Sequence, residues 1–457
     1  MKRIKYRSLK IAILLVATGS MAILYWCGFH KEFDKKSVPY NADGIALIDV
    51  KNIRNYFIFS YLKNPSQWKF NSKDSKIKKR FDFSNYGIAT PDYLALFHIQ
   101  NQPLNQWCFV ATIENETKLN KAIIDSHFIK IENEENFIVY YSKTLNTSII
   151  RFANQILYSK NASQDLKTSI QTAKNLFIKH HYFDAKTVDK ILENSNAITL
   201  WFQKNNLLED DGIINISLKD QEIIANGQLN LRPKFRKMAP FLQNPDALMS
   251  LGFNFEMIQN QKLLKNHSVT INKMIGFNLD SINIHNPTYT EFVLYNIIEK
   301  KDSAVTYDYD DDFNPIKKVV VHTNREPSFS FSMKTNNTKK VYDYLKSENV
   351  IDDRHIFLNF PLATTKASVK NNSLILEANH HNVSISKTTE LKIAYLQMNF
   401  NQLKTQDWHF LITKNNTFSL LKPFEKLKID LIQKNNLGYF EAHLKTANNI
   451  SLLESLK

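Results

Sequence analysis

Nine glycines in 457 residues set the strictest limit on what this chain can become, against roughly 30 at average usage for such a length. They stand at positions 19, 28, 44, 87, 212, 227, 252, 276 and 438, too far apart to share a loop. A dinucleotide fingerprint, a phosphate-cradling loop and the Gly-x-Ser-x-Gly nucleophile elbow all need clustered glycines, and none can be written here. Nucleotide binding through the common loops, standard α/β-hydrolase chemistry and a regular dinucleotide fold are therefore excluded. Core material is ample, with 43% hydrophobic residues and 12% aromatics, enough for two or three domains. A mean hydropathy of -0.35 fits neither a polytopic membrane protein nor a disordered polyelectrolyte.

The net charge of +15 is partly a local matter. Lys2, Arg3, Lys5, Arg7 and Lys10 precede every acid, so removing five charges from +15 leaves +10 downstream, interleaved with Asp and Glu. No clustered basic stripe of the kind that tracks phosphates is present, and nucleic acid is not an expected partner. Behind the basic tail, Ile11 to Phe29 form a largely apolar run broken only by Thr18, Gly19 and Ser20, about the length that crosses a bilayer as a helix. The positive-inside rule places the tail in the cytoplasm and the rest of the chain outside. The run ends Leu24-Tyr25-Trp26-Cys27-Gly28-Phe29, bulky where a signal peptidase needs small residues. An uncleaved signal anchor is expected, with Tyr25 and Trp26 in the interfacial belt.

Beyond it the pattern alternates between strand-like and helical segments. Residues 44–50, 93–99, 107–113, 198–202 and 213–218 read as strands from their β-branched content, and 223–231 as the partner of the last in a hairpin. Helices are expected after the Asn52 cap, over about 117–126, 165–178 and 187–193, and over 338–347. The stretch from 235 to about 300 reads as helical and mixed, with strands returning at 304–309 and 316–323. The expected fold class is α+β: antiparallel-rich β-sheets with packed helices, in two similar lobes, plus one N-terminal transmembrane helix. The division runs 1–10 cytoplasmic tail, 11–29 anchor, 30–40 linker, 41–235 first lobe and 236–457 second lobe. The anchor, the spacer and then Val38-Pro39-Tyr40-Asn41-Ala42-Asp43-Gly44 resemble the opening of uncharacterised bacterial envelope proteins that begin with a Pro-x-x-Ala-Asp strand after a signal anchor. The resemblance covers roughly the first 70 residues; it implies a bacterial exported location and transfers no catalytic residue.

The chemistry-bearing residues are sparse. Cys27 and Cys108 are the two cysteines, too few for a disulfide framework or a Cys-based zinc site, and Cys108 reads as a buried strand position. His180-His181 and His380-His381 are adjacent pairs, which on a strand send their rings to opposite faces. Asp308, Asp310, Asp312 and Asn314 match the first alternate positions of a calcium loop. Phe313 and Val319 occupy the places of its glycine and bidentate glutamate, so an EF-hand is rejected and a solvated turn is the favoured reading, leaving these four as a weak metal candidate. Ser66-x-x-Lys69 and Ser419-x-x-Lys422 spell the penicillin-binding acylation motif without its Lys-Thr-Gly partner. No cofactor is expected and no catalytic residue is named. The functional expectation is a non-enzymatic, single-pass, extracytoplasmic binding or scaffold module of the cell envelope, whose partners are the membrane and an envelope protein or lipid. An exported hydrolase whose active site converges only in three dimensions is the alternative.

Overall fold

The computed structural model describes residues 28–63, 83–160, 166–232, 244–259, 276–379, 391–402 and 423–452, with 25, 65, 242, 268–270 and 272–273, less positions 104, 135–136, 436 and 448–449. Two compact units divide the chain: residues 1–205, 210–227 and 451–457 form the first, and 206–209 and 228–450 the second.

The α+β class expected from the sequence is corrected by a chain that is mostly antiparallel sheet. In the first unit β1 (Ala42–Asp49), β2 (Tyr93–Ile99), β3 (Cys108–Thr112), β4 (Ile129–Glu134), β5 (Phe137–Ser142), β6 (Thr147–Phe152), β7 (Gln155–Lys160), β8 (Ile198–Phe202) and β9 (Gly212–Lys219) outweigh the four α-helices found among the described residues. These are α1 (Val50–Lys63), α2 (Glu116–Asp125), α3 (Leu166–Ala173), which runs on into a π-helical turn, and α4 (Ala185–Glu193). After β10 (Glu222–Asn230), the second unit holds β11 (Met249–Asn254), β12 (Pro287–Tyr309), β13 (Pro315–Thr335), β14 (Ile356–Phe357), β15 (Thr365–Lys370), β16 (Ser373–Ala378), β17 (Lys392–Asn399), β18 (Phe424–Lys434) and β19 (Leu437–Thr446). Its helices are short: α5 (Glu256–Gln259), α6 (Leu279–Asn283) and α7 (Thr338–Ser347). No helix among the described residues is long and apolar enough to cross a membrane, and residues 1–24, which hold most of the apolar run, lie outside them.

One order of strands occurs twice. In the first unit the antiparallel pairings run β9-β8-β1-β2-β3-β7-β6-β5-β4. In the second they run β18-β17-β11-β12-β13-β16-β15-β14. Each order places one helix after its fifth strand, α2 after β3 and α7 after β13. Each of these helices is capped by an asparagine, Asn115 and Asn337, whose side chain accepts from the backbone N–H three residues on. Leu119 and Ile123 of α2 pack on Ile149 and Ile156, and Val341 and Leu345 of α7 on Ala367, Leu374 and Leu376. On β6 and β7 the neighbours Ile150 and Leu157 point the other way, into a core with Phe97, Phe137, Leu176 and Trp201. Both faces of that sheet are thus covered, and each fully buried Ile or Leu contributes about 1.5–3 kcal/mol.

Double burial also explains why the stretch to residue 300 reads as helical. From Pro287 to Tyr295 only Phe292 is less than buried, so the strand shows no alternation, and periodicity alone cannot tell it from a buried helix. Turns are made with few glycines as well: among the described residues thirteen non-glycine residues have positive φ, eight of them asparagines and three histidines, against Gly87 and Gly276. Asparagine tolerates the left-handed region through its short polar side chain.

Gly252 has a different role. It sits directly across from Tyr395 on β17, and a Cβ built there falls 2.3 Å from Tyr395 Cε1 and 3.0 Å from Tyr289 Oη. Tyr395 is itself buried to 2% exposure and has nowhere to retreat. Gly252→Ala is expected to destabilise the protein by about 1–3 kcal/mol through overpacking, read as a lower denaturation midpoint, whereas Gly28→Ala, where a Cβ meets nothing within 4 Å, leaves the midpoint in place.

Candidate functional site

Three constellations stand out, and none was assembled by sequence reasoning. The first is the joint at the foot of the first unit. Asp49 closes β1 and is fully buried; its Oδ1 accepts from the Asn52 backbone N–H at 2.7 Å, which makes it the N-cap of α1. Its other oxygen pairs with Lys31, and its own N–H donates to Ala197 O at 3.0 Å. Asn52, expected as the cap, is instead a residue of the first turn. Beside it Lys51 Nζ pairs with Asp92 at 3.0 Å and donates to His30 O at 2.5 Å, while Glu32 N–H donates to Asp92 Oδ2 at 3.0 Å. These hydrogen bonds and the Lys51 charge hold the Asp92 carboxyl below its usual range, against the opposing pull of burial. Asn55 Nδ2 reaches back to Gly28 O at 2.6 Å.

The second is a clamp on the β2–β3 loop. His98 is buried, and both ring nitrogens are engaged, Nδ1 with Asp43 Oδ1 at 2.6 Å and Nε2 with Pro103 O at 3.1 Å. A carbonyl oxygen on one side and a carboxylate on the other ask both nitrogens to donate, which is the imidazolium form. The Asp43 hydrogen bond, against the opposing effect of burial, raises the His98 pKa above its ordinary value. With both nitrogens occupied the ring is a strap and not a proton shuttle.

The third is a polar centre in the second unit. Tyr395 Oη donates to Glu291 Oε1 at 2.9 Å, and the Leu242 N–H points at both Glu291 oxygens at 3.3 Å. Burial first, and then the Glu291 charge, push the Tyr289 and Tyr395 phenols far up, so both stay neutral. Lys392 and Asp430 form a buried pair at 2.7 Å, with Lys428 on the second Asp430 oxygen at 2.9 Å. The group is locked from inside and holds β12, β17 and β18 together.

The expected site residues are dispersed. Asp308, Asp310, Asp312 and Asn314 lie at the exposed end of the β12–β13 hairpin. Asp310 Oδ1 accepts from the N–H groups of Asn314 at 2.7 Å and Asp312 at 3.0 Å, and Oδ2 from Asn314 Nδ2 at 3.2 Å. Asn314, the fourth candidate ligand, is thus the donor that closes the turn and holds the Asp310 carboxyl below its usual range, while Asp308 faces Lys318 at 3.5 Å. Among the described residues no group of three or more His, Cys, Asp or Glu could hold a metal ion. Cys108 is buried on β3, donates to Ser159 Oγ at 3.2 Å, and burial pushes its thiol up to about 11. His180 and His181 lie outside any strand and are both exposed, His180 bonding Tyr182 Oη at 2.6 Å. His380, His381, Ser66, Lys69, Ser419 and Lys422 fall outside the described residues.

What the sequence reading passed over is the length of that hairpin. Beyond Ile298 the β12 strand pairs with β13 alone, and from Glu299 to Arg325 every residue but Val320 is exposed. The result is a two-stranded arm roughly 40 Å long at about 3.3 Å per residue. Opposite residues share a face, so Val305 and Val319, Ser303 and Val321, Tyr307 and Lys317, and Tyr309 and Pro315 gather on one side, with Tyr307 63% and Val319 58% exposed. The other side carries Lys300, Asp302, His322, Thr306 and Lys318 together with Ala304, Val320 and Ile316. The signal was present in the sequence as an alternation long past the usual strand length of 3–10 residues.

No family model matches the chain, and no curated protein matches it. Among solved structures it is similar to chains titled crystal forms III and IV of TP0453, each with 13% identity, a TM-score of 0.29 and coverage of 45% of this chain, and of 83% and 82% of those chains. The chain titled crystal form I of TP0453 matches with 11% identity and a TM-score of 0.22, over 76% of this chain and 92% of that one. Likenesses at these scores carry no argument about fold or function.

The clamp gives a prediction with a definite sign. A folded-state pKa above the ordinary histidine value near 6.5 stabilises the fold fully at pH below that value, and the contribution is lost as pH rises through the folded pKa. Thermal melting from about pH 6 to about pH 9 is expected to show the wild type losing more stability than Asp43→Asn across that window; parallel curves would contradict the clamp.

Proposed function

We propose that the protein is a membrane-anchored, extracytoplasmic binding module of the bacterial cell envelope, and that its β12–β13 arm docks a second envelope protein. The observation that carries the reading is the exposed strip of Val305, Val319, Val321, Tyr307 and Tyr309 on one face of the arm, against Ala304, Val320 and Ile316 on the other. A two-stranded ribbon with water on both faces is marginal by itself, and this one turns five apolar or aromatic side chains to one side. Such a ribbon is stabilised by a partner that covers that side. The acidic end, Asp308, Asp310, Asp311 and Asp312, asks that partner for an apolar strip ending in a cationic patch.

The membrane half of the proposal is supported by the basic tail and the apolar run from Ile11 to Phe29, and by the joint at Asp49. The hydrogen bonds and ion pairs of Gly28, His30, Lys31 and Glu32 leave almost no slack between that run and β1. The anchor would thus fix where the first unit stands, and not merely tether it.

Photo-crosslinking in native membranes tests the docking. A photoreactive residue at Tyr307 is expected to capture a discrete partner, one at Thr306 on the opposite face to capture it several-fold less, and Val319→Asp to abolish capture without altering the melting temperature. Equal capture from both faces would overturn the proposal.

A further inference from the structure

We infer that α1 lies on the bilayer surface as a second membrane contact, its outward side chains seated among anionic phospholipid headgroups. The inference rests on the reading of residues 11–29 as membrane-spanning, and adds a surface to it. Where the apolar run ends, the N–H groups of Phe29 and His30 donate to Tyr25 O at 2.8 and 3.1 Å, and the Tyr25 and Phe29 rings stack with centroids 6.3 Å apart. The residues immediately following are fixed to α1 itself, through Asn55 to Gly28 and Lys51 to His30. A helix tied this closely to the exit point of a spanning segment lies within a few ångströms of the headgroups.

The surface of α1 suits that place. It has no buried residue, although ten-residue α2 and α7 bury two and three each. Arg54, Ile58 and Leu62 follow one another at intervals of four along its outward face, flanked by Phe59 and Tyr61, and Leu62 is 66% exposed. An apolar stripe on a helix belongs against something apolar, and aromatic and aliphatic side chains mixed with cations are what an interfacial helix presents to lipid. Charge points the same way. The helix carries Lys51, Arg54 and Lys63 and no acid; Lys51 is held by Asp92, while Lys63 shares an exposed pair with Asp220. Basic side chains beside a membrane are drawn to anionic lipid. Between the end of the run and the helix opens a cavity of about 470 Å³, walled by Phe29, Tyr56 and Phe59 and lined as well by Lys63, which pairs with Asp220 at 3.0 Å, and by Lys31, which pairs with Asp49.

Fluorescence in vesicles decides the matter with the full-length chain. In a Cys27→Ser background the buried Cys108 thiol, pushed up to about 11, is poorly reactive, and single cysteines at Leu62→Cys, Ala22→Cys and Thr306→Cys carry an environment-sensitive dye. The protein is reconstituted in phosphatidylcholine vesicles with and without phosphatidylglycerol, and circular dichroism confirms that each variant is folded. The dye at position 62 is expected to shift to the blue and to be quenched by lipid-borne nitroxide several-fold more than at 306 when phosphatidylglycerol is present. The double variant Arg54→Glu, Lys63→Glu is expected to return it to the aqueous value. A dye at 62 that behaves like the one at 306 while the dye at 22 reports lipid would overturn the α1 contact and leave the anchor standing. Water at both 22 and 62 would bring down both readings, and equal quenching without phosphatidylglycerol would overturn the role given to anionic headgroups.

Discussion

The buried carboxylate of Asp49 is the constraint on which the first unit depends. Its oxygens and its own N–H serve four segments: the incoming chain through Lys31, the end of β1, the first turn of α1 and the residue before β8. A fully buried charge is tolerated only where partners meet it, and here the carboxylate is met by Lys31 and the Asn52 N–H, while the Asp49 backbone N–H is satisfied by Ala197 O. Each contact is modest alone. Their convergence sets the direction in which α1 leaves the sheet and the point at which the preceding chain arrives. Lys51, one residue into the helix, repeats the device with Asp92 and His30, so the approach to β1 is held twice.

The second unit solves the corresponding problem with neutral phenols. Gly252 removes a side chain so that the Tyr395 ring can lie across β11, and Tyr395 then reaches Glu291 one strand further on. The Lys392–Asp430 pair extends the polar line to β18. Outside that line β12 and β13 have no third strand, and the same ladder that is rigid between Pro287 and Ile298 continues as a ribbon in water. Rigidity ends where the neighbouring strands end, at Leu294 on the β11 side and Phe329 on the β16 side. The arm is therefore a direct product of strand length and needs no special sequence.

Much of the local structure was legible. The bounds of α2 and α7 follow from asparagine caps and apolar spacing, and β1, β2 and β8 from β-branched runs. The class was misjudged because the start of β12 is buried on both faces and shows no period of two, so a stretch that belongs to the sheet reads as helix. The α1 cap was placed three residues late because Asn52 is as good a capping type as Asp49, and only the fold shows which side chain faces the helix end. The Asp308 to Asn314 spacing was readable, but not that Asn314 would donate to Asp310. That α1 turns its apolar stripe outward lies outside any periodicity, because spacing reports a face and not what the face meets.

The recurring strand order has a consequence for how the chain must be made. Ala46 of β1 lies between Leu96 and Leu200, and Leu251 of β11 between Phe292 and Leu396. Each central strand waits on one edge until well over a hundred further residues have been synthesised, and closing such distant contacts is slow. A chain emerging from its N-terminus thus presents open sheet edges for much of its length, and open edges invite pairing with other chains. Until residue 200 has arrived, β1 therefore offers one unpaired edge to whatever lies near it.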